Sequence, residues 1–325
     1  MIGSPATGAQ ACAYGTNALR SFAQPSGLRT ALTITIDWGL IAAAVLAAES
    51  SRSWWIYGLS VLVISRQFNA LFELHHHAIH GNLFRIRHRN ERFDWLYSVP
   101  LLIRVSEDRH EHMEHHRTFV IDDSYIWGTG YGLDPSRCSD RSYMIWFLLA
   151  RPFVGVLQYD AFRSVLTNPG WKEPRFRRAV LIYWALVLAA LSLAGRPEWI
   201  LWYWLVPYFT LYQVLFFWDD MIGHYNCPLT GTRDMRGLWF RLMAVHGTGY
   251  HNVHHRHPKI PWFNQRRATR AFIDEESMDV ARGFADAIRQ MVVLCGGREE
   301  TRPGTRPITR DKKSPVVREI GRQMP

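Results

Sequence analysis

Residues 54–80 read WWIYGLSVLVISRQFNALFELHHHAIH, an apolar segment that runs directly into four histidines. A helix crossing a bilayer core needs about 20 mostly apolar residues. Residues 54–72 approach that length, and so do 31–48, 179–194 and 200–218. The connections 49–53 and 195–199 are short, so the four segments read as two helical hairpins. Long basic stretches follow each hairpin. Arg85, Arg87, Arg89, Arg92, Arg104, Arg109 and Arg117 lie in the first stretch, whereas each short turn carries one arginine, Arg52 or Arg196. The bias of Lys and Arg toward the cytoplasm then puts both stretches and both termini on that side. Residues 95–103 and 143–159 are apolar runs broken by Pro100, Arg151 and Pro152, and they read as interfacial or re-entrant helices.

Composition agrees with a membrane setting. The 325 residues are 48% hydrophobic and include 14 Trp, 13 Tyr and 17 Phe, rings that concentrate at membrane interfaces. A mean hydropathy of −0.14 requires apolar spans to alternate with polar segments. The net charge of +10 has no nucleic-acid-binding motif to go with it and fits a basic membrane-facing surface. Cys12, Cys138, Cys227 and Cys295 are scattered, which argues against a disulfide framework, a zinc ribbon or a built-in iron–sulfur cluster. The start of the chain lacks the pattern of a signal peptide. Residues 1–30 read as a flexible segment, 31–295 as the membrane domain, and 296–325 as a basic disordered tail.

Twelve of the 15 histidines fall in three groups: His75, His76, His77 and His80; His110, His112, His115 and His116; His251, His254, His255 and His257. His76 and His80 are four apart, and H-x-x-H-H occurs at His112–His116 and again at His251–His255. Residues three and four apart share a helix face, so each group can present several imidazoles to one point. Neutral imidazole binds iron or zinc, and this many around one site suggest more than one ion. His75, His77, His110 and His257 fall outside the repeated spacing and read as neighbours of the site.

The motifs carry a family resemblance. His76-His77-Ala78-Ile79-His80, His112-Met113-Glu114-His115-His116 with the trailing Asp122-Asp123, and Tyr250-His251-Asn252-Val253-His254-His255 resemble the three histidine boxes of membrane fatty acid desaturases and hydroxylases. The resemblance covers roughly residues 31–271. It implies an all-α integral membrane protein: four transmembrane helices in two hairpins, and a cytoplasmic helical cap holding a di-iron centre. It also implies an extra histidine after the fourth span, which His224 matches. The implied metal ligands are His76, His80, His112, His115, His116, His224, His251, His254 and His255, with two Fe per chain. Where stearoyl-type relatives carry an asparagine, this chain has Asp220, which becomes a candidate catalytic carboxylate beside one iron or an oxygen ligand to it.

What the resemblance implies functionally is O2-dependent oxidation of an unactivated C–H bond in a fatty-acyl or other lipid-like substrate. Desaturation is favoured, with a hydroxylase or a carotenoid ketolase as the alternative. No electron-carrier domain is visible, so a ferredoxin or similar external donor is implied, docking on the basic face of an inner or plasma membrane protein. A zinc-dependent membrane hydrolase is the second alternative, but H-E-x-x-H is absent and nine spaced histidines exceed what it needs. A metal transporter would place polar residues within the spans, where only Asp37, Arg66, Asp219 and Asp220 occur. Trp199, Trp202, Tyr203, Trp204, Tyr208 and Tyr212 read first as an interfacial belt with helix packing, and second as a substrate tunnel.

Overall fold

The computed structural model describes residues 19–118, 131–273 and 275–293. The tail 296–325, most of the N-terminal segment and the pair Asp122-Asp123 lie outside them. The described chain is mostly helical. Helices α1 (Gly27–Ser51) and α2 (Trp54–Ile79) form the first hairpin. They are followed by α3 (Val105–Thr118), α4 (Val156–Thr167), α5 (Pro174–Leu193), α6 (Leu211–His224), α7 (His251–Arg256), α8 (Trp262–Phe272) and α9 (Phe284–Val293), with short helical turns between. Two three-residue strands, β1 (Arg233–Met235) and β2 (Asp279–Ala281), pair in parallel.

The α1–α2 hairpin closes tightly because small residues meet larger ones across it. Ala44 and Ala48 are buried against α2, and the Ser60 hydroxyl donates to the Ala44 carbonyl at 2.8 Å. The opposite face of α1 exposes Leu32, Ile36, Leu40 and Leu46, the pattern of a helix whose outer side meets lipid or another apolar surface. Arg52 takes a left-handed conformation, φ 50°, to turn the chain into α2. Trp54 and Trp55, 79% and 90% exposed, mark that end of the hairpin as a candidate interface. At 26 residues α2 is about 39 Å long, more than a hydrocarbon core of about 30 Å. Its last two turns therefore extend beyond the expected span, and they carry His76.

The helix α5 stands apart. It buries only Phe176 and Val180, and Leu181, Ile182, Leu186 and Leu193 are exposed. Helices α1 and α5 are each long and apolar enough to cross a membrane. The segments 54–72 and 200–218 depart from that expectation in different ways. Helix α2 is continuous but carries Arg66, Gln67, Asn69 and Glu73. Segment 200–218 is not one helix: Leu201–Leu205 is a π turn, Val206–Phe209 a short helix, and the chain breaks at Thr210 (φ −121°, ψ −100°) before α6 begins. Pro207 accounts for the π turn, since it has no N–H to give the Tyr203 carbonyl and its ring displaces that carbonyl; the break at Thr210 lies three residues beyond it. The Gln213 side chain caps the Tyr208 carbonyl at 3.0 Å across the break. The aromatic cluster around it mostly packs: Trp204 lies on Trp38 and Phe68, and the Tyr208 hydroxyl donates to Leu101 O at 3.1 Å.

Asp37, Arg66 and Gln67 within the hairpin find partners inside the protein. Asp37, 3% exposed, accepts from Gln67 Nε2 at 2.8 Å and pairs with His246 Nε2 at 2.8 Å, while Arg66 reaches Gln67 and the Leu242 carbonyl. His246 sits in the loop before α7, so a carboxylate in α1 ties the hairpin to the third histidine group. Replacing Asp37 with Leu strands the buried Gln67 amide, at about 1–3 kcal/mol, and removes the partner of the half-buried His246. Thermal unfolding of the D37L variant in detergent is expected at a clearly lower midpoint than wild type. A midpoint within a degree of wild type contradicts the tie.

Candidate metal centre

Helix geometry sorts the nine candidate histidines into two groups. His76, His80, His112, His116 and His254 bring their ligand nitrogens together in one, and His115, His224 and His255 in the other, each set within 4.8 Å. His251 joins the second, its Nε2 lying 2.9 Å from His224 Nε2. Each H-x-x-H-H segment serves both groups. In α3 the i, i+4 pair His112 and His116 faces the first group and His115, rotated about the axis, faces the second. In α7 the roles reverse: His251 and His255 form the pair facing the second group, and His254 faces the first. The groups adjoin, with the His116 and His255 rings stacked at 4.4 Å.

Within the first group, Nε2 atoms lie 2.8 Å apart for His76–His254 and for His80–His112, 3.1 Å for His112–His116 and 3.2 Å for His116–His254. Metal–nitrogen bonds of about 2.1 Å meeting at right angles place neighbouring ligand nitrogens about 3.0 Å apart. The donor set thus fits a metal ion in each group. The imidazoles are also held in the ligating form. Burial, reinforced by the neighbouring imidazoles, lowers His116 to about 2, His251 to about 3 and His115 to about 4, and places His80, His112, His224, His254 and His255 well below their ordinary value.

The four histidines outside the repeated spacing stay outside both groups. His75 is held by Ser98 Oγ at 2.9 Å and Asp108 Oδ2 at 3.1 Å; His77 Nε2 donates to His246 O at 3.1 Å; His110 is exposed; His257 packs beside Phe272. Asp220 lines the cavity next to the histidines but joins neither group, and its Oδ2 accepts from the Tyr131 hydroxyl at 3.0 Å.

Three positioning residues were not singled out from sequence. Glu73, buried, sets one oxygen 3.2 Å from His76 Nδ1 and so fixes that ring. Its i, i+3 spacing to His76 was the available signal. Arg233 is fully buried and caps the end of α6, donating to the carbonyls of Ile222, Tyr225 and Asn226 at 2.7, 3.1 and 2.8 Å. This fixes His224. Next to it, Asp234 accepts from Asn252 N at 2.9 Å at the start of α7 and so fixes the third histidine segment. Strand β1 thus holds two ligand-bearing helices from adjacent residues, an arrangement only the tertiary fold reveals.

Both groups border a cavity of about 560 Å³, walled also by Glu73, Asp108, Glu111, Asp219 and Asp220 and by the apolar Phe72, Ile79, Ile103 and Phe216. A smaller space of about 160 Å³ adjoins it, sharing Phe72, Ile103 and Phe216 and reaching Tyr208 and Tyr212. The chemistry available here is metal-centred, in a chamber with room for an apolar ligand.

A helical protein with two adjoining histidine groups of this kind is the architecture of a histidine-rich metalloenzyme, and comparison with known proteins defines which. Residues 52–280 match the model of the fatty acid desaturase family, and the chain belongs to that family. It is 26% identical to the dihydrorhizobitoxine desaturase of Bradyrhizobium elkanii over 75% of both chains. It is 26% identical to an sn-1 acyl-lipid omega-3 desaturase (ferredoxin) of Synechocystis sp. over 76% of both. A beta-carotene ketolase of Paracoccus sp. is 29% identical over 61% of this chain and 72% of its own. The chain is therefore an oxidoreductase of an iron-dependent, membrane-associated family.

A pH dependence follows from the buried histidines. The unfolded chain takes up protons near pH 6.5, whereas folded His115, His251 and His116 resist protonation down to about 4, 3 and 2. Stability of the metal-stripped protein is therefore full above pH 6.5 and falls as pH drops below it. Thermal unfolding across that range is expected to show the fall, with a shallower slope for H116Q. A midpoint rising or flat from pH 7 to 5 would falsify the burial argument.

Proposed function

We propose that this protein catalyses O2-dependent oxidation of an unactivated C–H bond in a lipid-like substrate, with one iron held by each histidine group. The observation that carries this is the pair of adjoining groups opening onto one partly apolar cavity. His76, His80, His112, His116 and His254 would hold one iron, and His115, His224, His251 and His255 the other. When bound and reduced, two irons supply the oxidising power toward O2 and an alkyl C–H bond that no side chain has.

The remaining work belongs to the chain. Phe72 and Phe216, edge-to-face at 4.8 Å, border the space leading toward Tyr208 and Tyr212, where an apolar chain end fits. The buried Glu73 keeps the His76 ring oriented. Asp220, held by Tyr131, presents a carboxylate to the cavity beside the histidines, and we assign it to a position next to an iron, contributing charge or holding water there. Desaturation is the favoured outcome. Hydroxylation or ketone formation on a lipid or carotenoid is the alternative, and the likeness to the ketolase keeps it in view.

In this reading α1, α2, α5 and the broken segment 200–218 cross the inner or plasma membrane; at the break Thr210 is exposed, the Tyr208 carbonyl accepts from Gln213 and the Thr210 hydroxyl donates to Val206 O. The catalytic unit is residues 31–295, and the histidines and both termini face the cytoplasm. An external one-electron donor such as a ferredoxin docks on the basic cytoplasmic face. The Synechocystis relative, described with ferredoxin, supports that choice of partner.

Iron-loaded protein in detergent, given a ferredoxin, its reductase, O2 and a panel of acyl lipids and carotenoids, is expected to yield an oxidised product that is absent under nitrogen. The metal-loaded D220A variant is expected to lose most turnover. Full activity in that variant removes Asp220 from the mechanism, and O2-independent product formation overturns the oxygenase reading.

A further inference from the structure

Two cavities meet at Asp219. On one side is the cavity beneath the histidines; on the other is a chamber of about 30 Å³ walled by Leu215, Trp218, Phe240 and Met243. That is room for at least one water. Among the described residues, Asn69 and Asp219 are the only amide and acid side chains on the chamber wall. Asn69 is buried, and its Oδ1 has no protein hydrogen-bond partner. A buried amide oxygen left in that state normally faces water. Asn69, Glu73, His76 and His80 are four, three and four residues apart on α2, so one face of that helix runs from the chamber to the first histidine group.

The oxidation proposed above, on which this inference rests, consumes protons. Desaturation converts R–CH2–CH2–R′, O2, two electrons and two protons into R–CH=CH–R′ and two waters. Hydroxylation uses the same two electrons and two protons to give an alcohol and one water. Those protons must reach oxygen beside the buried histidines, away from the side of the cavity where Glu111 and Thr167 are exposed. Of the carboxyls on its wall, Glu73 is engaged by His76, Asp108 by His75 and Asp220 by Tyr131, and Glu111 lies at the exposed side. Asp219 alone borders both cavities.

We propose that Asp219 is a proton donor to the histidine cavity, resupplied by one water held between its carboxyl and Asn69 Oδ1 in the small chamber. The carboxyl O–H bond breaks as an O–H bond forms on an oxygen atom of O2 on its way to water. The carboxylate left behind takes a proton back from the chamber water, which is itself reprotonated from solvent past the exposed Trp239 on the chamber wall, so that no hydroxide remains and two protons pass per turnover. Electrons come from the external carrier and from the substrate C–H bonds. The surroundings favour the protonated acid at rest: among the described residues no Lys or Arg lines either cavity, and burial together with the charges of Glu73 and Asp220 pushes Asp219 above the usual carboxylate range. Tyr212 and the histidines on the cavity wall, which include His75 and His77 but neither His80 nor His116, are the other titratable groups near it.

The test compares iron-loaded wild type with D219N and N69L. Infrared spectra at pH 7 are expected to show a protonated-carboxyl band in wild type that D219N lacks and that N69L shifts, since the Leu fills the water's place. Turnover is expected to fall at least about tenfold in D219N, with iron content unchanged, and both variants should show a larger solvent isotope effect. A D219N infrared spectrum identical to wild type, loss of iron in D219N, or turnover within about twofold of wild type overturns the proposal. Failure of the oxygenase reading would instead appear as no turnover in wild type, and the infrared comparison would still decide whether Asp219 carries a proton.

Discussion

Nine imidazoles brought nitrogen to nitrogen in a buried space form the constraint to which the rest of the fold answers. Neutral imidazole has one donor and one acceptor nitrogen, so a cluster whose Nε2 atoms converge at 2.8–3.2 Å cannot satisfy every ring by mutual hydrogen bonds. Protonating the rings would relieve the lone pairs, but burial and mutual repulsion oppose it. Metal ions would resolve the conflict, because they bind the deprotonated nitrogens that the geometry brings together. The groups around the cluster then serve to hold the rings still. Glu73 sets His76, Arg233 closes the helix that ends in His224, and Asp234 fixes the start of α7.

Much of this was legible from spacing. H-x-x-H-H on a helix gives three rings within one turn, and the nine histidines that the resemblance to the histidine boxes names lie in the two groups. That each motif divides itself between two groups was not legible, because which face of α3 or α7 meets which partner depends on how the helices cross. The same limit applies to Arg233 and Asp234. In sequence they are two charged residues in a loop; only the pairing of β1 with β2 and its placement under α6 and α7 turns them into supports.

The helices that approach the membrane were read well where composition alone decides. Residues 31–48 and 179–194 lie within α1 and α5, which are continuous and apolar. Segment 200–218 was read as a single span because its hydropathy is high, yet Pro207 and the break at Thr210 interrupt it. Hydropathy reports the solvent a segment tolerates, whereas continuity depends on backbone hydrogen bonds that one proline removes. The break also places Tyr208 and Tyr212 at the wall of the inner space, so an aromatic cluster that is mainly packing contributes two residues to the cavity.

Metal content of the purified protein bears most directly on the central claim that two ions sit in two histidine groups. Wild type, H116A and H224A, each purified in detergent and loaded with iron, would be analysed for metal and by Mössbauer spectroscopy. The account predicts about two irons in wild type, one per group, with the two variants each losing mainly the iron of their own group and differing in the signal that remains. A single zinc per chain, or iron content indifferent to both substitutions, would contradict it.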